Sequence, residues 1–332
     1  MRVRRGIILG LAGLGLVAAS FLGGCGGGDS PTVPPKTGHA TSPTSDPTSS
    51  DVRRNGDQSP AVGPASGRTA SVPEAATATA PRIVSLSPAI SRTLVDLGLG
   101  DAIVARTPYC DSVPASIPVA GTHLDFDAER IVSVAPTHLF VQAPAQGVDP
   151  ALSALAAERG IALTAWKLER VQDVAALVRS LPDAIGGAAG ERARPAAVAR
   201  ADALDALDRR AAAVPATAPR ALLLVTTDPL GAAGAGTFLD DLARAAGWRN
   251  AVTHSGYPSL SHEDLVRLDP DLVVVVRDTS ERDDATLRAQ VLATDALLAR
   301  YGASFRVVRD PDALLPSSAL VDVAKKLAES PR

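Results

Sequence analysis

The sequence has few of the residues from which most catalytic and metal sites are built. It contains 2 cysteines and 5 histidines in 332 residues, and only 3% of its residues are aromatic. The histidines are scattered, without the spacings that bind zinc. It has no Walker loop, no GxSxG nucleophile elbow and no HExxH motif. The sequence therefore predicts no metal site, no cofactor and no catalytic residue.

The first cysteine ends a segment typical of an export signal. Arg2, Arg4 and Arg5 form a basic start, Gly6–Phe21 is apolar, and small residues precede Cys25. This pattern is typical of a secretory signal peptide. Its end resembles the lipobox of bacterial lipoproteins, in which the cysteine becomes the acylated N-terminus. We predict a signal peptide over residues 1–25 and lipidation at Cys25; a permanent membrane-anchor helix is the alternative.

Residues 26–81 are rich in Ser, Thr, Pro and Gly and have almost no large apolar side chains. Such a segment cannot bury enough surface to offset its ordering entropy, so we predict a disordered tether. Without the three signal arginines the formal charge falls from −3 to −6, which disfavours nucleic-acid binding. Cys110 then remains the single cysteine, and a buried small residue is favoured there over a reactive thiol.

Short apolar strands alternate with amphipathic helices along residues 82–185 and again along 219–332. This alternation predicts mostly parallel sheets covered by helices. Between the two regions Pro195–Val214 is alanine-rich and has strong helix propensity. We therefore predict an α/β fold of two similar lobes, joined by one long helix within residues 186–218, with a ligand cleft between the lobes.

Within the lobes the periodicity predicts several individual helices. They include Val171–Ile185, Thr237–Ala246, His262–Leu268, Asp284–Ala293 and Ser317–Glu329.

Two stretches 134 residues apart are similar to one another: AERIVSVAPTHLFVQ from Ala128 and HEDLVRLDPDLVVVV from His262. Glu129 matches Glu263, and Pro136 matches Pro270. Six residues before each glutamate lies a ring side chain, His123 in one copy and Tyr257 in the other. A repeat of this length is too long for a solenoid unit and indicates two facing lobes with matched loops.

Tyr109, His123 and Tyr257 all lie in loops that follow predicted strands, where α/β sheets place their ligands. Each ring is individually as consistent with packing as with binding, and the repeat favours binding. Glu129 and Glu263 begin helices, where a carboxylate complements the helix dipole in any case. The glycine-rich loop Gly231–Gly236 follows a strand, but its GxxGxG order departs from the GxGxxG dinucleotide loop, so we favour a loop at the cleft rim.

Three segments together resemble a known family: RIVSLSPAISRTLVDLGLGDAIVARTPYCD, GTHLDFDAERIVSVAPTHLFV and YPSLSHEDLVRLDPDLVVVV. They are similar to the cobalamin- and iron-siderophore-type periplasmic binding proteins of ABC importers, and the resemblance covers roughly Pro81 to Glu329. It implies a helical-backbone receptor that binds a metal chelate and performs no chemistry.

By position, the resemblance implies that Glu129 and Glu263 dock on the transmembrane dimer of an ABC permease. It implies that Tyr109, His123, Leu230 and Tyr257 line the ligand cleft. In the cobalamin binders His123 and Leu230 are replaced by tryptophan and phenylalanine, so the sequence does not name the chelate. Arg106 and Arg277 follow predicted strands as well, either facing an anionic chelate or lying on the surface.

The sequence-based hypothesis is a monomeric, lipid-anchored solute-binding protein of the periplasm or cell envelope. It would deliver cobalamin, a ferric siderophore or haem to an ABC permease. Two alternatives remain at this point: an exported sensor or scavenger that works without a permease, and an exported enzyme that uses the Gly231–Gly236 loop.

Overall fold

The computed structural model describes residues 80–227, 229–278, 285–286, 289, 292, 296–301 and 304–329. The predicted signal peptide with Cys25, almost all of the predicted tether and most of the predicted helix Asp284–Ala293 lie outside these residues. Within them no helix has the length and apolarity that a membrane crossing requires.

The N-terminal sheet contains four parallel strands in the order β2-β1-β3-β4. Its strands are β1 (Ile83–Ser85), β2 (Ile103–Arg106), β3 (His138–Gln142) and β4 (Ala162–Trp166). The connecting helices are α1 (Pro88–Asp96), α2 (Ala128–Ser133), α3 (Pro150–Arg159) and α4 (Val171–Ile185), with a 3₁₀ turn at Gly100–Ala102.

The C-terminal sheet contains β5 (Arg220–Thr227), β6 (Leu230–Ala232), β7 (Arg249–Asn250), β8 (Leu272–Arg277) and β9 (Phe305–Arg309). The helices of this lobe with defined bounds are α6 (Phe238–Ala245), α7 (His262–Leu268), α8 (Ala296–Ala299) and α9 (Leu320–Glu329). Its strands β7, β5, β8 and β9 pair in the same parallel order as β2, β1, β3 and β4. The predicted fold of two similar, mostly parallel α/β lobes is confirmed; the antiparallel β6 is an addition that the sequence reasoning missed.

The repeat extends to the backbone conformation. Ala135 (φ 43°) and Asp269 (φ 37°) are the two non-glycine residues with positive φ in the described part of the chain. They lie 134 residues apart, and each follows a helix and precedes a proline, Pro136 or Pro270. A residue before proline is disfavoured in the right-handed helical region, which helps to end both helices within one residue of the same place. The two copies therefore fold into the same helix–turn–strand unit.

The long helix α5 joins the two sheets and runs over Gly187–Ala212. It begins eight residues before the predicted start at Pro195, and that proline lies inside the helix. The early start has a packing reason, since a side chain at Gly190 would place its Cβ 2.1 Å from the carbonyl oxygen of Pro182 on α4. Only glycine permits this close approach, and the contact between α4 and α5 stabilises the first turns of α5. With 26 residues the helix spans about 39 Å.

Buried apolar side chains continue from one lobe to the other through α4 and α5. One hydrophobic cluster includes residues of both sheets and both helices: Ile83, Phe140, Leu177, Leu204, Leu223 and Val274. Such interiors are close-packed and resist rearrangement. The shared core therefore limits hinge motion between the lobes.

An ion pair at the start of α4 also connects the two lobes. Asp241 of α6 is 1% exposed, and its carboxylate accepts hydrogen bonds from Arg170 Nε at 2.8 Å and from the backbone N–H of Val171 at 3.0 Å. Arg170 Nη2 donates to the second carboxylate oxygen. The hydrogen bond with Asp241 raises the pKa of the Arg170 guanidinium. Since Arg170 follows the N-terminal sheet and α6 belongs to the C-terminal lobe, the pair fixes one lobe to the other.

We expect Arg170→Ala to lower the free energy of unfolding by about 3 kcal/mol, because it leaves the buried Asp241 carboxylate without its cation. Chemical denaturation of the purified protein measures this loss. Arg179→Ala on α4 is the matched control, since its ion pair with Asp205 is solvent-exposed and contributes about 1 kcal/mol or less. Equal losses in the two variants would show that the Arg170–Asp241 pair stabilises the contact between the lobes no more than an exposed ion pair does.

Candidate functional site

Two equivalent loops carry the ring side chains that the sequence singled out. Residues 107–127 connect β2 to α2 and contain Tyr109 and His123, while residues 251–261 connect β7 to α7 and contain Tyr257. Both loops leave the carboxyl end of a parallel strand, which is where open α/β sheets bind their ligands. The structure therefore puts Tyr109 and His123 on one loop and Tyr257 on its counterpart in the other lobe.

A tight turn presents His123. The Thr122 backbone N–H donates to the Asp125 carbonyl at 2.8 Å, and the Thr122 hydroxyl accepts from the backbone N–H groups of Leu124 and Asp125. Gly121 precedes the turn with φ +85°, and a Cβ there would lie 2.2 Å from the Asp125 carbonyl oxygen. Burial lowers the pKa of the half-buried His123 imidazole, so the ring is predominantly neutral at pH 7.

Tyr109 and Tyr257 differ in their solvent exposure. The Tyr109 side chain is 41% exposed, whereas Tyr257 is half-buried and packs against the large hydrophobic cluster. Burial raises the pKa of the Tyr257 phenol, the Glu169 carboxylate raises it further, and a hydrogen bond with Thr237 opposes both effects. Glu169 lies between β4 and α4 in the N-terminal lobe, so Tyr257 is close to the boundary between the lobes.

Leu230 requires a correction. It was expected to line the cleft, but it is the first residue of β6 and is 5% exposed. Its side chain belongs to the hydrophobic cluster of the C-terminal lobe, together with Leu222, Leu224 and Leu265. The antiparallel β6 turns this side chain into the core, so Leu230 supports the loops rather than offering a contact surface.

The glycine-rich loop supports the Tyr257 loop. Its successive N–H groups donate within the protein: Ala232 to Pro258 O, Ala233 to Leu223 O, Gly234 to Gly256 O, Ala235 to His254 O and Gly236 to the Asp240 carboxylate. A phosphate-binding loop needs such amides free to face the phosphate. Residues 232–236 therefore form a scaffold for Tyr257 and do not provide the cradle of a nucleotide site.

The two arginines at strand ends also require a correction, since neither is a simple surface residue. Arg106 is 9% exposed and donates to backbone carbonyls of its own loop. Arg277 is half-buried at the end of β8, donates to Thr227 Oγ1 at 2.8 Å, and has its guanidinium pKa lowered by burial.

Glu129 and Glu263 occupy the same position of their helices. Each is the second helical residue after its N-cap, Asp127 for α2 and Ser261 for α7. Both side chains are exposed, and neither forms an ion pair within the described residues. A first-turn carboxylate is stabilised by the helix dipole without any partner. The structure thus leaves one accessible carboxylate at the equivalent place in each lobe.

Two features of these loops were missed from the sequence. Leu124, 62% exposed, lies at the tip of the turn beside His123. Arg170 pairs with Asp241 of α6, and the adjacent Glu169 carboxylate acts on the pKa of Tyr257, so both residues bring the N-terminal lobe close to the C-terminal lobe. The signal for Leu124 was a lone leucine in a polar turn. Nothing in the sequence indicated the position of Arg170 and Glu169. Among the described residues no three His, Cys, Asp or Glu side chains cluster as a metal site would require.

Comparison with known proteins finds similar proteins that are named for binding cobalamin or heme. A cobalamin-binding protein of Halobacterium salinarum is 29% identical over 219 residues, which are 63% of this chain and 57% of that protein. The chain thus spans little more than half the length of this relative. The periplasmic heme-binding protein BhuT in complex with two hemes is 25% identical with a TM-score of 0.59, covering 74% of this chain and 96% of BhuT. The periplasmic heme-binding protein HutB of Vibrio cholerae shares the fold at 22% identity, with a TM-score of 0.61 over 75% of this chain and 98% of HutB.

The sequence profile of the family described as "Periplasmic binding protein" matches residues 83–303, from the first strand of the N-terminal sheet to just before the last strand of the C-terminal sheet. The match covers most of both lobes, and the matched segment includes both ring-bearing loops and both first-turn glutamates. This chain belongs to the periplasmic binding protein family.

Proposed function

We propose that the protein captures a metal chelate outside the cytoplasm and delivers it to an ABC permease. The observation that carries this proposal is the pair of equivalent loops at the carboxyl edges of the two sheets. Ring side chains on both loops provide flat apolar faces, and stacking against such faces does not require catalytic groups.

The names of the relatives narrow the chemistry of the ligand. One relative is named for cobalamin and two structural neighbours for haem. Both ligands are tetrapyrrole macrocycles that hold a metal and present broad ring faces, which suits the exposed ring of Tyr109 and the half-buried ring of His123. A ferric siderophore is the remaining class within this proposal.

The enzyme alternative has weak support, because the loop on which it depends has its amides engaged within the protein. The sensor or scavenger alternative shares the same cleft and differs only in lacking a permease. The accessible carboxylates of Glu129 and Glu263 favour delivery, since a pair of equivalent charges on two similar lobes is complementary to a two-fold symmetric permease dimer. A lipid anchor at Cys25 completes the proposal and depends on the sequence alone.

We expect haem or cyanocobalamin to bind the purified protein and to raise its apparent melting temperature, because a ligand that binds only the folded state stabilises it. The double variant Tyr109→Ala/His123→Ala should lose about 1–3 kcal/mol of binding free energy, since each stacked ring contributes about 0.5–1.5 kcal/mol beyond area burial. Isothermal titration calorimetry measures this difference, and mass spectrometry of the recovered ligand shows whether it is unchanged.

The control for this experiment is His138→Ala. His138 is also a half-buried histidine of the N-terminal lobe, but it begins β3 at the opposite edge of the sheet. Its loss should leave affinity as in wild type. Full affinity in the double ring variant would place the ligand elsewhere, and chemical conversion of the ligand would favour an enzyme.

We expect Glu129→Arg/Glu263→Arg to abolish most stimulation of the cognate permease ATPase in reconstituted vesicles while ligand affinity stays near wild type. The family resemblance implies that each glutamate docks onto arginines of the permease dimer, and the reversed charges would repel these arginines. Each single reversal should give an intermediate loss.

The matched control is Glu158→Arg/Glu329→Arg, which makes the same change in net charge at one exposed helical glutamate in each lobe. If this pair reduces the ATPase stimulation as strongly, the effect is one of overall charge. If the Glu129/Glu263 variant stimulates the ATPase as wild type does, the two glutamates are only helix-start residues and the delivery proposal fails.

A further inference from the structure

Arg106 has an unusual environment for a charged residue. It is the last residue of β2 and 9% exposed, yet no carboxylate pairs with it among the described residues. Its Nη1 donates to the carbonyls of Thr107 at 3.0 Å and Cys110 at 3.5 Å, and its Nη2 donates to the carbonyl of Ala115 at 3.4 Å. Its Nε is buried and has no partner in the described part of the chain. All three acceptors belong to the segment that leaves β2, so the guanidinium fills the interior of that loop.

A guanidinium can donate to several loop carbonyls at once because it carries five N–H donors in a fixed plane. Loop carbonyls that point inward cannot be satisfied by a neighbouring strand, and a buried carbonyl left unpaired is costly. A lysine offers a single nitrogen and cannot reach three carbonyls in the same way. The position of Arg106 therefore determines the path of residues 107–115.

The same loop is fixed from its other side through Cys110. That residue is 2% exposed, its thiol donates to Ser91 Oγ on α1 at 3.1 Å, and Ser91 in turn donates to Ser85 Oγ on β1 at 2.9 Å. Thr107 is 1% exposed, and its hydroxyl accepts from the Tyr109 backbone N–H and contacts the Cys110 sulfur, both at 3.3 Å. Tyr109 is thus the exposed apex of a turn whose two ends are buried and hydrogen-bonded.

We propose that Arg106 is a positioning residue that holds the Tyr109 turn in its ligand-accepting shape before any ligand arrives. This inference rests on the proposed function. A loop that is already ordered does not lose conformational entropy on binding, so the stacking contribution of Tyr109 is retained in the measured affinity. Without Arg106 the ring would still be present, but the turn would have to order itself during binding.

The test is a double-mutant cycle with haem and cyanocobalamin as probes. Arg106→Gln should weaken binding of the bound probe by roughly tenfold in the wild-type background. In the Tyr109→Ala background the same substitution should change affinity by less than about twofold, because the group it positions is absent. Arg106→Lys should restore only part of the loss. A role confined to general stability predicts the same loss in both backgrounds, and that result would overturn the inference.

Arg82→Gln is the matched control. Arg82 also donates to backbone carbonyls, those of Val134 and Ala135, but at the amino edge of the same sheet. It should destabilise the lobe without changing the affinity for either probe. If neither probe nor a ferric siderophore binds the wild-type protein, the proposed function itself fails; if a probe binds and Arg106→Gln leaves its affinity unchanged, only this inference fails.

A second measurement keeps the inference testable should Arg106→Gln fold poorly. Hydrogen exchange on the ligand-free wild-type protein should show protection of the Cys110 amide, which donates to the Thr107 carbonyl at 3.3 Å, and of the Ile117 amide, which donates to the Pro114 carbonyl at 3.0 Å. Free exchange at these amides that becomes slow only when haem or cyanocobalamin is added would show that the turn is ordered by the ligand, which contradicts positioning by Arg106.

Discussion

The packing of α4 against α5 is the contact on which the rest of the structure depends. The two helices bury apolar side chains in one cluster, which includes Leu177 and Leu204 and continues into both sheets. Because the two lobes share this core, their relative position is set by close packing rather than by a flexible strand connection. The Arg170–Asp241 ion pair adds a directional contact at the point where α4 begins. The loops at the two carboxyl edges are consequently held at a defined relative position by helices that lie outside these loops.

The internal repeat explains how one chain builds two matched edges. The strand order is the same in both sheets, and the turn before β3 and β8 has the same unusual backbone conformation at Ala135 and Asp269. The copies differ in the contacts that hold their loops. The C-terminal lobe inserts β6 and the glycine-rich loop, whose amides hold the Tyr257 loop, whereas the N-terminal lobe fixes its loop with Arg106, Cys110 and the Thr122 turn. Two different sets of hydrogen bonds thus order equivalent loops.

Periodicity predicted the strongly amphipathic elements well, since α4 over Val171–Ile185 and α7 over His262–Leu268 have their predicted bounds. It failed where tertiary contacts determine the start of a helix or the presence of a strand. The first turns of α5 depend on the approach of Gly190 to Pro182, and β6 exists because its three residues pair with β5. The same reason accounts for Leu230, which a positional analogy placed in the cleft and an antiparallel pairing turned into the core. Arg106 was singled out by its position after a strand, but its burial among loop carbonyls depends on a loop path that no local pattern encodes.

Together these features favour a receptor whose affinity comes from preformed surfaces. A protein with a shared core and ordered loops has little conformational entropy to lose on binding, and it also has little motion with which to enclose its ligand. A ligand that is itself rigid and flat suits such a site, because shape complementarity can then be built into the unbound protein. On the proposed function, the same rigidity would hold Glu129 and Glu263 at one separation with and without a ligand. A permease would then distinguish the loaded from the empty protein through the ligand or the loops that contact it, and not through a change in the spacing of these two carboxylates.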